Sequence, residues 1–321
     1  MQFRTYLCII FSLVFNLLMV TPEIVAKEMV VKETACNLMW VTIYVHGTTS
    51  AVGLKLIGKF CKDVAWGAPG IHHLDEMPSN ALLRSDVDCL QKGAPDRFCA
   101  DHFYTFGWSG KLSCKARELA GTELWGGLKA LLAQYKTKYG FYPKLRIMTF
   151  SHGGNVALNM VKLLPFFVGE HVHLELLIVA CPVQKITENL IEHDEIDQIY
   201  TIASNRDLLQ VVDFYQYENK RYFPDRFFHT SKPNCYQIKV SINDRGLGHL
   251  DLLRSFMVHL PYTLNMADAC AMGQLGMPQD GVCEILPSHD PLVINCSILD
   301  DKFRFFKGFN LISCVRGHRK K

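Results

Sequence analysis

Thr149-Phe150-Ser151-His152-Gly153-Gly154 stands between two apolar runs of different period. Residues 145–150 form a short apolar run, the pattern of a buried strand. In residues 155–164, Val156, Ala157, Met160, Val161 and Leu164 fall on one face, the pattern of a helix. A serine at such a junction, with glycine two places on, has the layout of a nucleophile elbow. That turn is tight, so the residues flanking the serine must be small enough to clear the neighbouring strand and helix. Gly153 and Gly154 meet this need on the helix side, while Thr149 stands where the usual G-x-S-x-G pattern has glycine. Taken without its surroundings, Ser151 reads equally as that nucleophile or as a helix cap.

Outward from this stretch, strands alternate with helices. Residues 39–45, 102–106, 174–180, 199–203 and 235–242 read as further strands, and residues 115–139 and 250–260 as helices, the first with a soft spot at Gly126-Gly127. Near-continuous apolar strands separated by helices predict an α/β fold: a mostly parallel central sheet of eight strands or slightly fewer, covered by helices on both faces. Such sheets carry their sites at the carboxyl ends of the strands. Gly47, Ser151 and Asp207 each follow a predicted strand and so share that edge. Residues 48–101 break the alternation and are expected to hold a helix at 52–64 followed by an irregular excursion.

A serine needs a base to take its proton, an acid to orient that base, and donors for the oxyanion. Asp207 is the candidate acid, because it emerges just after the strand at 199–203; Asp213 and Asp244 are rivals, and a cap on the following helix is the plainer use of Asp207. His249, in Gly246-Leu247-Gly248-His249, is the candidate base, carried by a glycine-rich loop after the strand at 235–242. His171 and His173 precede a strand, and His193 and His259 lie on or near helices. The oxyanion donors are the backbone N–H groups of His152 and, in the turn His46-Gly47-Thr48-Thr49, of Thr48. Ser109, in Trp108-Ser109-Gly110, lacks the helix-side glycine because Lys111 follows, and reads as a turn residue with Trp108 packed near the site. The aromatic residues Phe214, Tyr215, Tyr217, Tyr222, Phe223, Phe227 and Phe228 lie between acid and base and read as core, an acyl pocket or a cap.

Val45-His46-Gly47-Thr48, Thr149-Phe150-Ser151-His152-Gly153-Gly154-Asn155-Val156-Ala157, Asp207 and His249 together resemble the α/β-hydrolase superfamily, lipase and esterase type. The S-H-G-G-N-V-A form and Phe106-Gly107-Trp108-Ser109-Gly110 are similar to uncharacterised bacterial lipase-like hydrolases. The resemblance spans residues 38 to 262. It implies an α/β-hydrolase fold and a serine hydrolase working through Ser151, Asp207 and His249 in that chain order. The implied substrate is a small-molecule or lipid ester with an apolar part, with transient contact to a membrane or lipid surface, and no cofactor or metal is called for. Two other functions fit the same residues: acyl transfer to an alcohol by the same triad, and a non-catalytic binding protein built on the hydrolase fold.

The remainder of the chain bounds its setting. It has 321 residues, nearly half of them hydrophobic, and a formal net charge of only +3, which gives no general electrostatic reason to bind nucleic acid. Residues 1–26 read as a signal peptide: Arg4, an apolar run broken only by Ser12 and Asn16, then Ala26 at the cleavage position. The expected location is secreted or periplasmic, the alternative being a membrane anchor left uncleaved. Residues 27–262 read as the α/β-hydrolase domain and residues 263–321 as a C-terminal extension containing four of the eleven cysteines that follow the signal. Disulfides are permissible after export, the odd count leaves at least one thiol free, and no Cys/His spacing fits zinc. Oligomeric state is left open.

Overall fold

The computed structural model describes residues 39–48, 68–164, 171–212, 215–217, 220–254, 256–271, 283–286, 293–298 and 300. The signal segment at 1–26 and the helix expected at 52–64 lie outside the described residues. The elements in chain order are β1 (Trp40–Val45), β2 (Gly70–His73), α1 (Leu82–Gly93), β3 (Phe103–Gly107), α2 (Cys114–Tyr139), β4 (Lys144–Phe150) and α3 (Gly153–Val161). There follow β5 (Leu174–Val179), α4 (Lys185–Glu188), β6 (Gln198–Ala203), α5 (Leu209–Val212), β7 (Tyr215–Tyr217), β8 (Lys220–Tyr222), β9 (Cys235–Ile242) and β10 (Arg245–Gly246). The last are α6 (His249–Arg254), α7 (Leu260–Ala271), β11 (Cys283–Leu286) and β12 (Val293–Ile298).

Ten strands form one sheet in the order β11-β12-β9-β6-β5-β4-β1-β3-β2, with β10 hooked onto β9. Every pairing from β3 across to β12 is parallel, and the outer pairs β2–β3 and β11–β12 are antiparallel. The sheet is therefore larger than the eight strands expected. The additional strands are short edge segments whose four or fewer residues carry little periodic signal, together with β12, which lies beyond residue 262.

Burial alternates along the central strands. Ile147, Leu176, Ile178 and Val45 face one apolar cluster with Leu124, Leu128, Val156 and Met160 of α2 and α3. Tyr44, Met148, Leu177, Val179 and Tyr200 face the other, with Leu83, Val87 and Leu90 of α1 and Leu260 and Leu264 of α7. Both faces are covered, which is why these strands read as nearly continuous apolar runs. The helix α2 runs through Gly126-Gly127 unbroken, capped by the Ser113 hydroxyl and closed by Gly140 in the left-handed conformation. A Cβ at Gly127 would lie 2.9 Å from Ile71 Cδ1, the end of a side chain that can shift.

The helix expected over 250–260 is instead two elements, α6 and a 3-10 turn at Phe256–His259, followed by α7. Pro261 lies in the first turn of that last helix, where proline is tolerated because its missing N–H has no partner to lose. Among the cysteines whose side chains are described, Cys89, Cys99, Cys114, Cys181, Cys235 and Cys296 are free thiols. No helix among the described residues is long and apolar enough to cross a membrane.

The sheet also buries charge at its amino-terminal half. Arg146 on β4 and Glu175 on β5 are wholly buried and paired at 2.5 Å. The Arg146 guanidinium lies over the rings of Trp40 and Phe98, at 4.2 and 4.5 Å, and donates to the Arg97 carbonyl. Arg97 in turn pairs with Asp268 of α7 at 3.0 Å and donates to the Tyr200 hydroxyl. This network fastens α7 to the sheet.

Candidate active site

Ser151 stands at the end of β4 with φ of 53°, in the left-handed region that residues other than glycine adopt only when their surroundings hold them there. The hold is visible on both sides. The Ser151 N–H donates to the Val179 carbonyl of β5 at 2.8 Å, and the Ser151 carbonyl accepts from the Gly154 N–H at 3.0 Å as α3 begins. Around this turn the spaces are filled, by backbone at Gly153 and by side chains at Gly154. A Cβ at Gly153 would lie 2.3 Å from the Val45 carbonyl oxygen, and one at Gly154 would lie 2.6 Å from Cys181 Sγ. Thr149 escapes that crowding: its side chain is buried on the β5 side, with Oγ1 3.4 Å from the Leu177 carbonyl. The close approaches fall at residues 47, 153 and 154, so threonine at position 149 is accommodated.

Asp207 and His249 meet. Asp207 is fully buried after β6, and its Oδ2 lies 2.7 Å from His249 Nδ1 at the start of α6. The other oxygen, Oδ1, accepts from the Gln210 N–H, so the carboxylate caps α5 and holds the imidazole at once. A carboxylate can only accept, so the proton between them sits on His249 Nδ1, and in the neutral imidazole Nε2 is then the acceptor. The loop carrying His249 is fastened to the end of β6, where the Leu247 N–H donates to the Ser204 hydroxyl at 2.6 Å, and Asp251 accepts from the Gly248 N–H at 2.8 Å. The imidazole packs on Phe150, the residue before Ser151, with ring centroids 4.7 Å apart. Among the described residues, no hydrogen bond joins the Ser151 hydroxyl to His249; in enzymes without substrate that contact is often long.

The turn after β1 lies directly against the serine. A Cβ at Gly47 would come within 2.8 Å of Ser151 Cβ and 3.4 Å of its Oγ, so only glycine lets this backbone pass. His46 fixes the turn. Its Nδ1 donates to the Gly47 carbonyl at 2.6 Å and its Nε2 accepts from the Trp108 N–H at 3.3 Å. The Trp108 indole N–H donates back to the His46 carbonyl at 2.8 Å, and the two rings stack at 5.7 Å. Burial holds the His46 pKa below its ordinary value, against the opposing effect of its bond to Gly47. Thr48 comes next in the chain, its hydroxyl buried with no hydrogen-bond partner among the described residues. His152 stands on the other side of Ser151 as the first residue before α3, so the two backbone segments considered for an oxyanion flank the serine.

The remaining sequence candidates are placed elsewhere. Ser109 is exposed on its loop. His171 and His173 pair with Asp197, His193 with Glu195 and His259 with Asp300. Asp244 lies in the turn between β9 and β10, where its Oδ1 meets the Ser297 hydroxyl at 3.3 Å. Asp213 and Phe214 lie outside the described residues, as do the side chains of Tyr215, Tyr217 and Tyr222. Phe228 is buried in the core and Phe223 is exposed. Among the described residues, no group of three or more histidine, cysteine, aspartate or glutamate side chains is arranged to hold a metal ion.

Sequence reasoning missed Asn155. Its amide donates to the Pro182 carbonyl at 2.9 Å and lies 3.3 Å from His152 Nδ1, and its oxygen accepts from the Thr187 hydroxyl at 2.6 Å. This buried hub ties α3 to the segment after β5. An asparagine on the otherwise apolar first turn of a helix was the available signal. Beside it, burial pushes the Cys181 thiol up to about 12, which keeps it protonated and inert. No protein-family model matches the chain, and no curated protein is significantly similar to it.

Proposed function

We propose that this chain is a serine hydrolase of the α/β-hydrolase type that cleaves an ester through an acyl-enzyme. One observation carries the reading: a serine in a strained left-handed turn at the end of a central strand, with an Asp207–His249 pair, bonded at 2.7 Å, packed on the residue beside it. A cap has no need of that strain, because cap residues ordinarily lie in the extended region. In the reaction, His249 Nε2 takes the Ser151 proton as Oγ attacks the ester carbonyl. Asp207 stabilises the imidazolium formed and fixes the tautomer that makes Nε2 the acceptor. The oxyanion is received by the N–H groups of Thr48 and His152. His249 returns its proton to the leaving alcohol, and water, activated by the same imidazole, then releases the acyl group from Ser151. The mature enzyme acts outside the cytoplasm after loss of residues 1–26, a reading that N-terminal sequencing of the exported form tests.

The test uses a fluorophosphonate probe and p-nitrophenyl esters of graded chain length. Ser151→Ala is expected to abolish labelling and to lower turnover by on the order of a millionfold, with His249→Ala costing about as much. Asp207→Asn is expected to cost on the order of ten-thousandfold through the wrong tautomer. Ser109→Ala is expected to leave both readouts unchanged. A wild-type protein that neither labels nor hydrolyses any ester would reverse the conclusion in favour of a binding protein. Labelling without net hydrolysis, relieved by an added alcohol, would point to acyl transfer.

A further inference from the structure

A small cavity lies between α2 and α3 beneath the segment leading into α4, lined by Cys114, Arg117, Asn159, Gln184 and Thr187, with Glu118 and Lys162 at its mouth. Two of the residues lining it are almost wholly buried and carry donors without partners. Arg117 is 2 % exposed and Gln184 1 % exposed, and neither Arg117 Nη1 nor Gln184 Nε2 has a hydrogen-bond acceptor among the described residues. The other ends of the same groups are engaged. Arg117 Nη2 donates to Gln184 Oε1 at 3.1 Å and to Cys114 Sγ at 3.3 Å. That bond fixes which end of the Gln184 amide faces the guanidinium, and leaves the NH₂ end as a donor.

The hydrogen-bond partners of Arg117 are therefore neutral, and among the described residues no carboxylate pairs with its buried charge. An unpaired buried cation carries a large desolvation cost. A water would satisfy the two donors and leave the charge uncompensated, whereas an anion does both. The cavity is ≈ 20 Å³, where a single water needs roughly 10–15 Å³, so the space between the two donors suits one small monatomic anion in the place of a water. At the mouth, Lys162 pairs with Glu118 at 3.8 Å, which offsets the one carboxylate near the entrance.

We propose that this cavity is a halide site, holding one chloride ion between Arg117 Nη1 and Gln184 Nε2. The ion would also steady the segment beside the serine. Gln184 caps α4 through its carbonyl, which accepts from the Thr187 and Glu188 N–H groups, and the Thr187 hydroxyl holds Asn155.

Two measurements on the whole protein decide it. In crystals grown in sodium bromide, an anomalous peak within hydrogen-bond reach of both donors is expected; ordinary water density without one overturns the proposal. In thermal unfolding at fixed ionic strength, replacing gluconate by chloride is expected to raise the midpoint by about 2–6 °C and to saturate. Arg117→Met is expected to lose that rise, and a folded Arg117→Met protein that keeps it refutes the site. A bromide peak without a chloride-dependent rise in the wild type marks an adventitious ion only, and also refutes it. Should Arg117→Met fail to fold, the wild-type bromide map and chloride titration still give the answer.

Discussion

A single methyl group at Gly153 tests whether the turn is built as described. A Cβ at that position lies 2.3 Å from the Val45 carbonyl oxygen, 2.9 Å from the His46 carbonyl oxygen and 3.0 Å from the Val45 carbonyl carbon. All three contacts are backbone, and Val45 is paired on both sides, with Phe106 of β3 and Thr149 of β4, so it has nowhere to retreat. Overpacking costs about 1–3 kcal/mol where side chains can shift. With backbone on the receiving side, Gly153→Ala belongs at the upper end, at about 3 kcal/mol. Alanine in place of glycine in a helix returns about 1 kcal/mol, so the net loss is about 2 kcal/mol, or a fall of roughly 4–8 °C in the unfolding midpoint. Gly126→Ala is the internal control. It makes the same exchange at an exposed position of α2 with no heavy atom within 4 Å, and is expected to gain about 0.5–1 kcal/mol. Denaturant unfolding of the two variants, at unchanged m, measures both signs. If Gly153→Ala were as stable as wild type, the end of β1 would not press on the start of α3, and the geometric case for the elbow would fail.

Two further outcomes follow from buried charge. Burial lowers the pKa of His46 in the fold below its ordinary 6.5, so on acidification the unfolded chain binds the proton first. Stability is then full above the unfolded value and is lost as pH falls below it towards the folded one, and His102, His173 and His259, also lowered chiefly by burial, act in the same direction. His46→Gln is expected to flatten the slope of unfolding free energy between roughly pH 7 and 5; an unchanged slope would show that His46 does not stay neutral in the turn. Glu175→Gln leaves Arg146 buried without its counter-charge and is expected to cost about 3–5 kcal/mol. A loss below about 1 kcal/mol, on the same denaturant assay, would mean that the Arg97 carbonyl and the two flanking rings suffice to hold the guanidinium.

What could be read from the sequence was what a local period encodes. The apolar runs ending near Val45, Phe150 and Ala203 located three strand ends, and so the edge on which residues 47, 151 and 207 stand. Glycine at 153 and 154 signalled the crowding against β1 and Cys181. Contacts made across the sheet left no such trace. In the sequence the two roles of the Asp207 carboxylate read as rivals, because nothing in a single residue says that its two oxygens face different partners. The Arg146–Glu175 pair lies inside runs that read as apolar, since one charge per strand does not disturb the pattern. The clasp between His46 and Trp108 spans 62 residues, and the short strands β2 and β11 are too brief for any period to show.

The order of strands has a consequence for how the chain comes to be folded. β1 leaves the ribosome first among the described strands, yet its neighbours are β3 and β4, and the register with β4 pairs Trp40 with Lys144. About 100 residues must be made before that pairing can form, which at 5–20 residues per second is a wait of roughly 5–20 s. Until β3 is made, both edges of a strand destined for the centre of the sheet are open to pairing with other chains, and the edge that takes β4 stays open throughout. In the finished molecule the sheet ends at β2 and β11, four residues each. The hazard of open edges is thus greatest in the nascent chain, and a chaperone that covers residues 40–45 until residue 150 has emerged would shield the molecule when it is most prone to aggregate.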